Sequence, residues 1–163
     1  MAETITIRAT GEADIAAVDA LLARSYPALL KADYPPSVLV TAVPIIARAR
    51  PELVTCGTYY VAEGRAGRAL AAGGWTRSAR VPGRAEIRHV VTDPALTRRG
   101  IGRALLGHVL ETAAAQGVRG FDCLATRTAV PFYRALGFAE LGPAEVTLAA
   151  GIVFPAVRMA RRA

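Results

Sequence analysis

Apolar positions along the chain keep two different periods, and the switches between them mark the elements. Residues 4–10 alternate Ile5 and Ile7 with Thr4, Thr6 and Arg8, the period of a half-buried strand. Residues 14–24 change to helical spacing through Ile15, Val18, Leu21 and Leu22, with Thr10 or Gly11 near the N-cap. Pro27, Pro35 and Pro36 interrupt residues 25–36, and a second helix is predicted over 37–49 with a kink or break near Pro44. Residues 58–63 and 68–76, around Gly64-Arg65-Ala66-Gly67, read as a β-hairpin, and residues 77–84 as a loop. A strand over 86–92 stops at the Asp93-Pro94 turn. Then Ile101, Leu105, Leu106, Val109, Leu110 and Ala113 form one buried helical face that closes at Gly117. A short strand over 118–125, a short helix over 130–136 and two antiparallel strands over 140–148 and 152–159 complete the order β-α-α-β-β-β-α-β-α-β-β. That order predicts an α/β (α+β) fold, a mixed sheet with helices on both faces. With no repeat, low-complexity stretch or linker, residues 1–163 read as one domain.

The candidate chemistry lies in residues 85–114. Gly100 and Gly102 let the backbone approach a ligand closely, and Arg98, Arg99 and Arg103 surround them with positive charge. The first N–H groups of a helix have no partner inside it, and the helix dipole favours an anion there. A strand, a bare basic turn and a helix start together make a cradle for phosphate or pyrophosphate. The dinucleotide fingerprint would need a third Gly where Leu105 stands, and no Gly-Lys followed by Ser or Thr forms a P-loop.

Thr97-Arg98-Arg99-Gly100-Ile101-Gly102 resembles the coenzyme A loop of the GNAT superfamily, the acyl-CoA-dependent N-acyltransferases. The family pattern is Gln/Arg-x-x-Gly-x-Gly/Ala; Thr97 departs from it, with Arg98 and Arg99 beside it to supply charge. Further on, Phe132-Tyr133-Arg134-Ala135-Leu136-Gly137-Phe138 resembles the second family hallmark, a short helix ending F-Y-x-x-L-G-F. The resemblance implies a mixed, mostly antiparallel sheet of about six or seven strands. It also implies acetyl-CoA as co-substrate and direct attack by an amine, without a covalent acyl-enzyme. Arg98, Arg99, Gly100, Ile101, Gly102, Arg103 and Ala104 are implied around the diphosphate, and the backbone edge of Val90, Val91 and Thr92 alongside the pantetheine. Tyr133 is implied as the acid that protonates the departing thiolate. Thr128 stands where many members carry an Asn that contacts the pantetheine arm.

Acetyl transfer needs a neutral amine, and a lysine-type amine at pKa ~10.4 costs about 4.6 kcal/mol to deprotonate at pH 7. A base is therefore worth more than the acid. Glu86 resembles, by its spacing to the Gly turn, the strand carboxylate used as base in some protein-acetylating members. His89 is the second candidate, since its ordinary pKa suits neutral pH. Strand alternation sets Glu86, Arg88, Val90 and Thr92 on one side and Ile87, His89 and Val91 on the other. The family's acceptor pocket lies near the first helices and last strands, where Tyr26, Asp33, Tyr34, Tyr59, Tyr60 and Trp75 are candidates.

The net charge of +7 brings nucleic acid into consideration. The arginines are nevertheless scattered over turns and element ends, and a polyanionic cofactor accounts for their one local cluster more economically. No nucleic-acid partner is expected. No apolar run is long enough to span a membrane, and the N-terminal MAETITIR has no leader-like apolar core, so the cytoplasm is the expected location. Cys56 and Cys123 fall in no metal-ligand spacing and read as buried thiols of a reducing compartment. The expected partner is a small-molecule or peptide amine, with a homodimer possible by family likeness. Two other readings stay open. A non-catalytic acyl-CoA-binding module is favoured if Glu86 and Tyr133 face away from the cleft, and a basic nucleic-acid-binding domain if the arginines share one face.

Overall fold

The computed structural model describes residues 4–163, so the reading of the N-terminal MAETITIR lies partly outside the described residues. Seven strands form one open sheet: β1 (Thr6–Ala9), β2 (Tyr59–Glu63), β3 (Ala69–Arg77), β4 (Arg84–Thr92), β5 (Gly120–Ala125), β6 (Ala139–Thr147) and β7 (Val153–Arg162). Their order across the sheet is β1-β2-β3-β4-β5-β7-β6. Every neighbouring pair is antiparallel except β4–β5, which the crossover helix α5 (Ile101–Ala115) makes parallel. A mostly antiparallel mixed sheet with helices on both faces agrees with the expectation.

The two faces bury two separate apolar clusters. On one, α5 lays Ile101, Leu105, Leu106, Val109, Leu110 and Ala113 against Tyr60, Leu70, Trp75, Ile87 and Phe121. All six predicted stripe residues are buried, and each fully buried Leu contributes about 1.5–3 kcal/mol. On the other face, α1 (Ile15–Leu30) packs Val18, Leu21, Leu22, Tyr26 and Leu30 against Tyr59, Val61, Ala72 and Val91.

Three sequence expectations change. Helix α1 does not stop at Arg24 but runs through Pro27 to Leu30. Proline removes one backbone hydrogen bond, but burying Tyr26 and Leu30 in line with the existing stripe outweighs that loss. The helix predicted over 37–49 divides, as expected near Pro44, into α2 (Pro36–Thr41) and α3 (Val43–Ile46), but it ends at Ile46, and an unpredicted turn of helix, α4 (Pro51–Val54), follows. Most consequential is β4, whose alternation does not survive to its end. Arg88 pairs with Gly74 and Val91 with Ala72, so His89 and Val90 together oppose the single residue Gly73. This is a β-bulge.

Candidate functional site

The bulge and a parting of strands open the site. β4 pairs with β5 only through Arg84–Gly120, Ala85–Phe121 and Glu86–Asp122, and beyond that point the two strands separate. β5 meanwhile stays paired with β7 along its whole length. His89 takes a left-handed backbone (φ 46°) at the bulge, and its carbonyl accepts a hydrogen bond from the Tyr59 hydroxyl at 2.9 Å. A Cβ at Gly73 would meet Val90 Cγ2 at 2.7 Å, so only glycine permits this close crossing. The bulge resets the pleat. Val90 turns to the α5 cluster while His89 lies toward α1, its ring 6.2 Å from that of Tyr26. The expected grouping of His89 with Ile87, and of Val90 with Glu86, is corrected by this extra residue.

Between the parted strands lies a cleft of about 680 Å³. Its floor is Val90, Val91 and Thr92, one wall is Leu96, Thr97, Arg98, Gly100, Gly102 and Arg103, and the opposite wall is Thr126, Thr128, Phe132 and Tyr133. Tyr26, Leu29 and Leu30 from the end of α1 cover it. The structure thus brings together Val90, Val91, Thr92, Arg98, Gly100, Gly102, Arg103, Thr128 and Tyr133. Glu86, His89, Arg99, Ile101 and Ala104 are not on the cleft wall.

Asp93 anchors the basic loop. Its buried carboxylate accepts from the Ala95 N–H at 2.9 Å and pairs with Arg24 at 3.2 Å and Arg68 at 3.3 Å. Burial pushes this carboxyl up, but the Ala95 N–H and the two guanidiniums outweigh it and hold the group below its ordinary value. Gly100, at φ 80°, ends the loop as the N-cap of α5, and the first helical hydrogen bond is from Ala104 N–H to the Gly100 carbonyl. The N–H groups of Ile101, Gly102 and Arg103 are therefore left over at the helix start. A Cβ added to Gly100 would meet nothing within 4 Å, whereas one on Gly102 would meet Thr92 Oγ1 at 2.8 Å.

Tyr133 comes from the short helix α6 (Val130–Ala135), where Phe132 and Phe138 pack edge-on at 5.3 Å each. Burial, then the neighbouring Cys123, raises its hydroxyl well above the ordinary phenol value. Burial likewise pushes the Cys123 thiol up to about 12, so both groups keep their protons at neutral pH. Cys56, expected to be buried, is exposed. Thr128 donates to Asp33 Oδ2 at 2.7 Å, while the Tyr34 hydroxyl accepts from the Arg127 N–H and donates to the Pro155 carbonyl. These bonds tie the end of α1 across to the loop after β5. Of the acceptor candidates, Tyr60 and Trp75 belong to the core under α5.

Both base candidates sit on the α1 side of β4. Glu86 is exposed and paired with Arg88 at 2.9 Å, at the last position before β4 and β5 separate. His89 is lowered to about 4, by burial first and then by Arg50 and Arg88. Sequence reasoning missed Gly73 and the Leu29–Leu30 cover. The adjacent Gly73-Gly74 inside a strand pattern was the available signal for the bulge.

Residues 55–140 match a family model described as an acetyltransferase (GNAT) domain. Among solved structures, a GCN5-related N-acetyltransferase from Rhodopseudomonas palustris is 17% identical with a TM-score of 0.78, covering 100% of this chain and 98% of that one. The PaiA N-acetyltransferase from Thermoplasma acidophilum, crystallised in complex with coenzyme A, is 13% identical with a TM-score of 0.73, covering 98% and 99%. The ribosomal-protein-S18-alanine N-acetyltransferase from Escherichia coli is 21% identical with a TM-score of 0.65, covering 98% and 94%. At these identities the likeness concerns the fold. No curated protein sequence matches the chain.

Proposed function

Because the chain belongs to the GNAT acetyltransferase family, we propose that it transfers an acetyl group from acetyl-CoA to an amine by direct attack, residues 1–163 acting as one domain. One observation carries this reading: a single cleft joins the basic loop and bare helix start to Tyr133, through the gap where β4 leaves β5. The cleft suits coenzyme A on its own terms. Gly100 leaves open space where a side chain would stand, and the leftover N–H groups of Ile101 to Arg103, with Arg98 and Arg103, match a diphosphate.

When bound there, acetyl-CoA supplies the acetyl group as an activated thioester. The edge of Val90, Val91 and Thr92 that faces away from β3 has no strand partner among the described residues and offers backbone groups along the cleft floor. Tyr133 keeps its proton at neutral pH, because burial opposes the phenolate, and stands at the cleft wall as hydrogen-bond donor to the departing thiolate. We assign the base to Glu86, which reaches the amine through water from the α1 side; His89 stays neutral at pH 7 but binds a proton too weakly to compete. The acceptor is a small-molecule or peptide amine, and an exposed free thiol at Cys56 suits the reducing cytoplasm.

The test is release of free thiol from acetyl-CoA over a panel of amines, from polyamines to peptide N-termini. Tyr133→Phe is expected to lower kcat by about 10²-fold with acetyl-CoA affinity unchanged, and Glu86→Gln to lower kcat by a similar factor, again with affinity unchanged. The exposed ion pair of Glu86 favours a second reading, a non-catalytic acyl-CoA-binding module. Tight coenzyme A binding with no thiol release for any amine would select it.

A further inference from the structure

Charge is uneven once the strands are in place. Three segments meet at the end of the sheet opposite the cleft: residues 77–84, 115–121 and 160–163. Arg77 pairs with Ala85, Arg84 with Gly120, and Gly120 with Arg162. The Arg119 N–H donates to the Gly83 carbonyl at 2.7 Å, and the Ala163 N–H to the Arg119 carbonyl at 3.1 Å. Together these segments carry Arg77, Arg80, Arg84, Arg119, Arg161 and Arg162 and no acidic residue. The chain has 20 basic and 13 acidic side chains; without these six the remainder is near balance. Counting Asp122, the next residue of β5 and the partner of Arg84, this end carries five of the chain's seven net positive charges.

Only part of that charge is satisfied locally. Arg84 forks onto Asp122 at 2.8 and 2.9 Å, and Arg77 donates to the Gln116 carbonyl at the end of α5. Arg161 gives one donor to the Leu136 carbonyl, and Arg80 and Arg162 have no side-chain hydrogen bond or ion pair among the described residues. The 15 residues of α5 separate this end from the cleft by about 22 Å, too far for these guanidiniums to serve the loop at Gly100.

We propose that this arginine-rich end is a docking surface for the phosphodiester backbone of a nucleic acid. Neighbouring strands lie about 4.8 Å apart, so the ends of β3, β4, β5 and β7 span about 15 Å, with Arg77 and Arg161 toward the α5 face and Arg84 and Arg162 toward the other. A protein partner would need an apolar centre, and on these segments Val81, 47% exposed, is the one large apolar side chain offered to solvent. Phosphate contacts need none and are indifferent to base sequence. The arginines that look scattered along the chain are thus gathered by the fold, and this surface does not rest on the acetyl-transfer reading.

Anisotropy of a labelled oligothymidylate, titrated with the full chain at low salt, tests it. Binding is expected to persist in saturating coenzyme A, with a log–log salt slope of about −3 for roughly four free guanidiniums on a single strand. The Arg80→Glu, Arg162→Glu double variant should weaken binding by at least about tenfold and leave thiol release unchanged, whereas Arg98→Ala should leave oligonucleotide binding intact. Displacement by coenzyme A would move the polyanion to the cleft and overturn the proposal. So would an unaltered double variant, no binding at low salt, or binding to phosphatidylserine vesicles in place of the oligonucleotide.

Discussion

At the scale of single residues, the cleft depends most sharply on a missing side chain. Gly102 opens α5 against β4 and α6, and a Cβ there would overlap Thr92 Oγ1 at 2.8 Å and press on the Phe132 ring at 3.3 Å. Gly102→Ala must therefore push the helix start off the strand, misdirecting the N–H groups proposed to hold the diphosphate. The expected cost is about 1–3 kcal/mol in stability, with coenzyme A affinity by calorimetry falling tenfold or more. Adding Thr92→Ala removes the closer contact and should recover most of that affinity; no recovery would mean that the glycine acts through something other than this crossing. The place of Gly102 on the cleft was legible in the sequence because its neighbours share one local pattern, as was that of Arg98, Gly100 and Tyr133. Glu86 was not placed so well. The face of a strand follows from its period, but distance from a cleft depends on where β4 parts from β5, and no residue near Glu86 encodes that.

At the scale of elements, the period of α5 was readable throughout because helix, stripe and buried face coincide. The far half of β4 was not, since its geometry is decided across the sheet by Gly73 on β3. Gly73→Ala brings a methyl to 2.7 Å from Val90 Cγ2 and 3.2 Å from Val90 Cα. The bulge must then flatten or β3 retreat, at a cost of about 1–3 kcal/mol. Because the bulge turns Val90 toward the cleft floor, turnover should fall more than coenzyme A affinity, which draws on the distant loop. Denaturant melts followed by the buried Trp75, alongside kcat and dissociation constants, separate these effects; equal losses in both would detach the bulge from the reaction. A similar override extends α1 past Pro27, where Tyr26 and Leu30 bury against the sheet in spite of the proline.

At the scale of the whole molecule, His89 ties stability to pH before any carboxylate does. Its imidazole is partly buried between β4 and α1, beside the Tyr26 ring, and desolvation, then the charges of Arg50 and Arg88, lower it from 6.5 to about 4. Between those two values the unfolded chain holds a proton that the folded one does not, so stability rises with pH across this window and falls on acidification. A gap of this size corresponds to at most about 3 kcal/mol. The acidic groups act lower down. Asp14, held at about 2 chiefly by its hydrogen bond to Arg8, and Asp93, held down by the Ala95 N–H and two guanidiniums, lose their contribution only as pH falls through their folded values. Acid unfolding should therefore have two limbs, the upper belonging chiefly to His89. Asn tolerates the left-handed backbone at this position and carries no titrating proton, so His89→Asn should flatten the melting profile between pH 6.5 and about 4 while leaving the lower limb in place. An unchanged upper limb in that variant would show that the imidazole is not desolvated at the bulge, and with it the packing of α1 over the end of β4 would need to be redrawn.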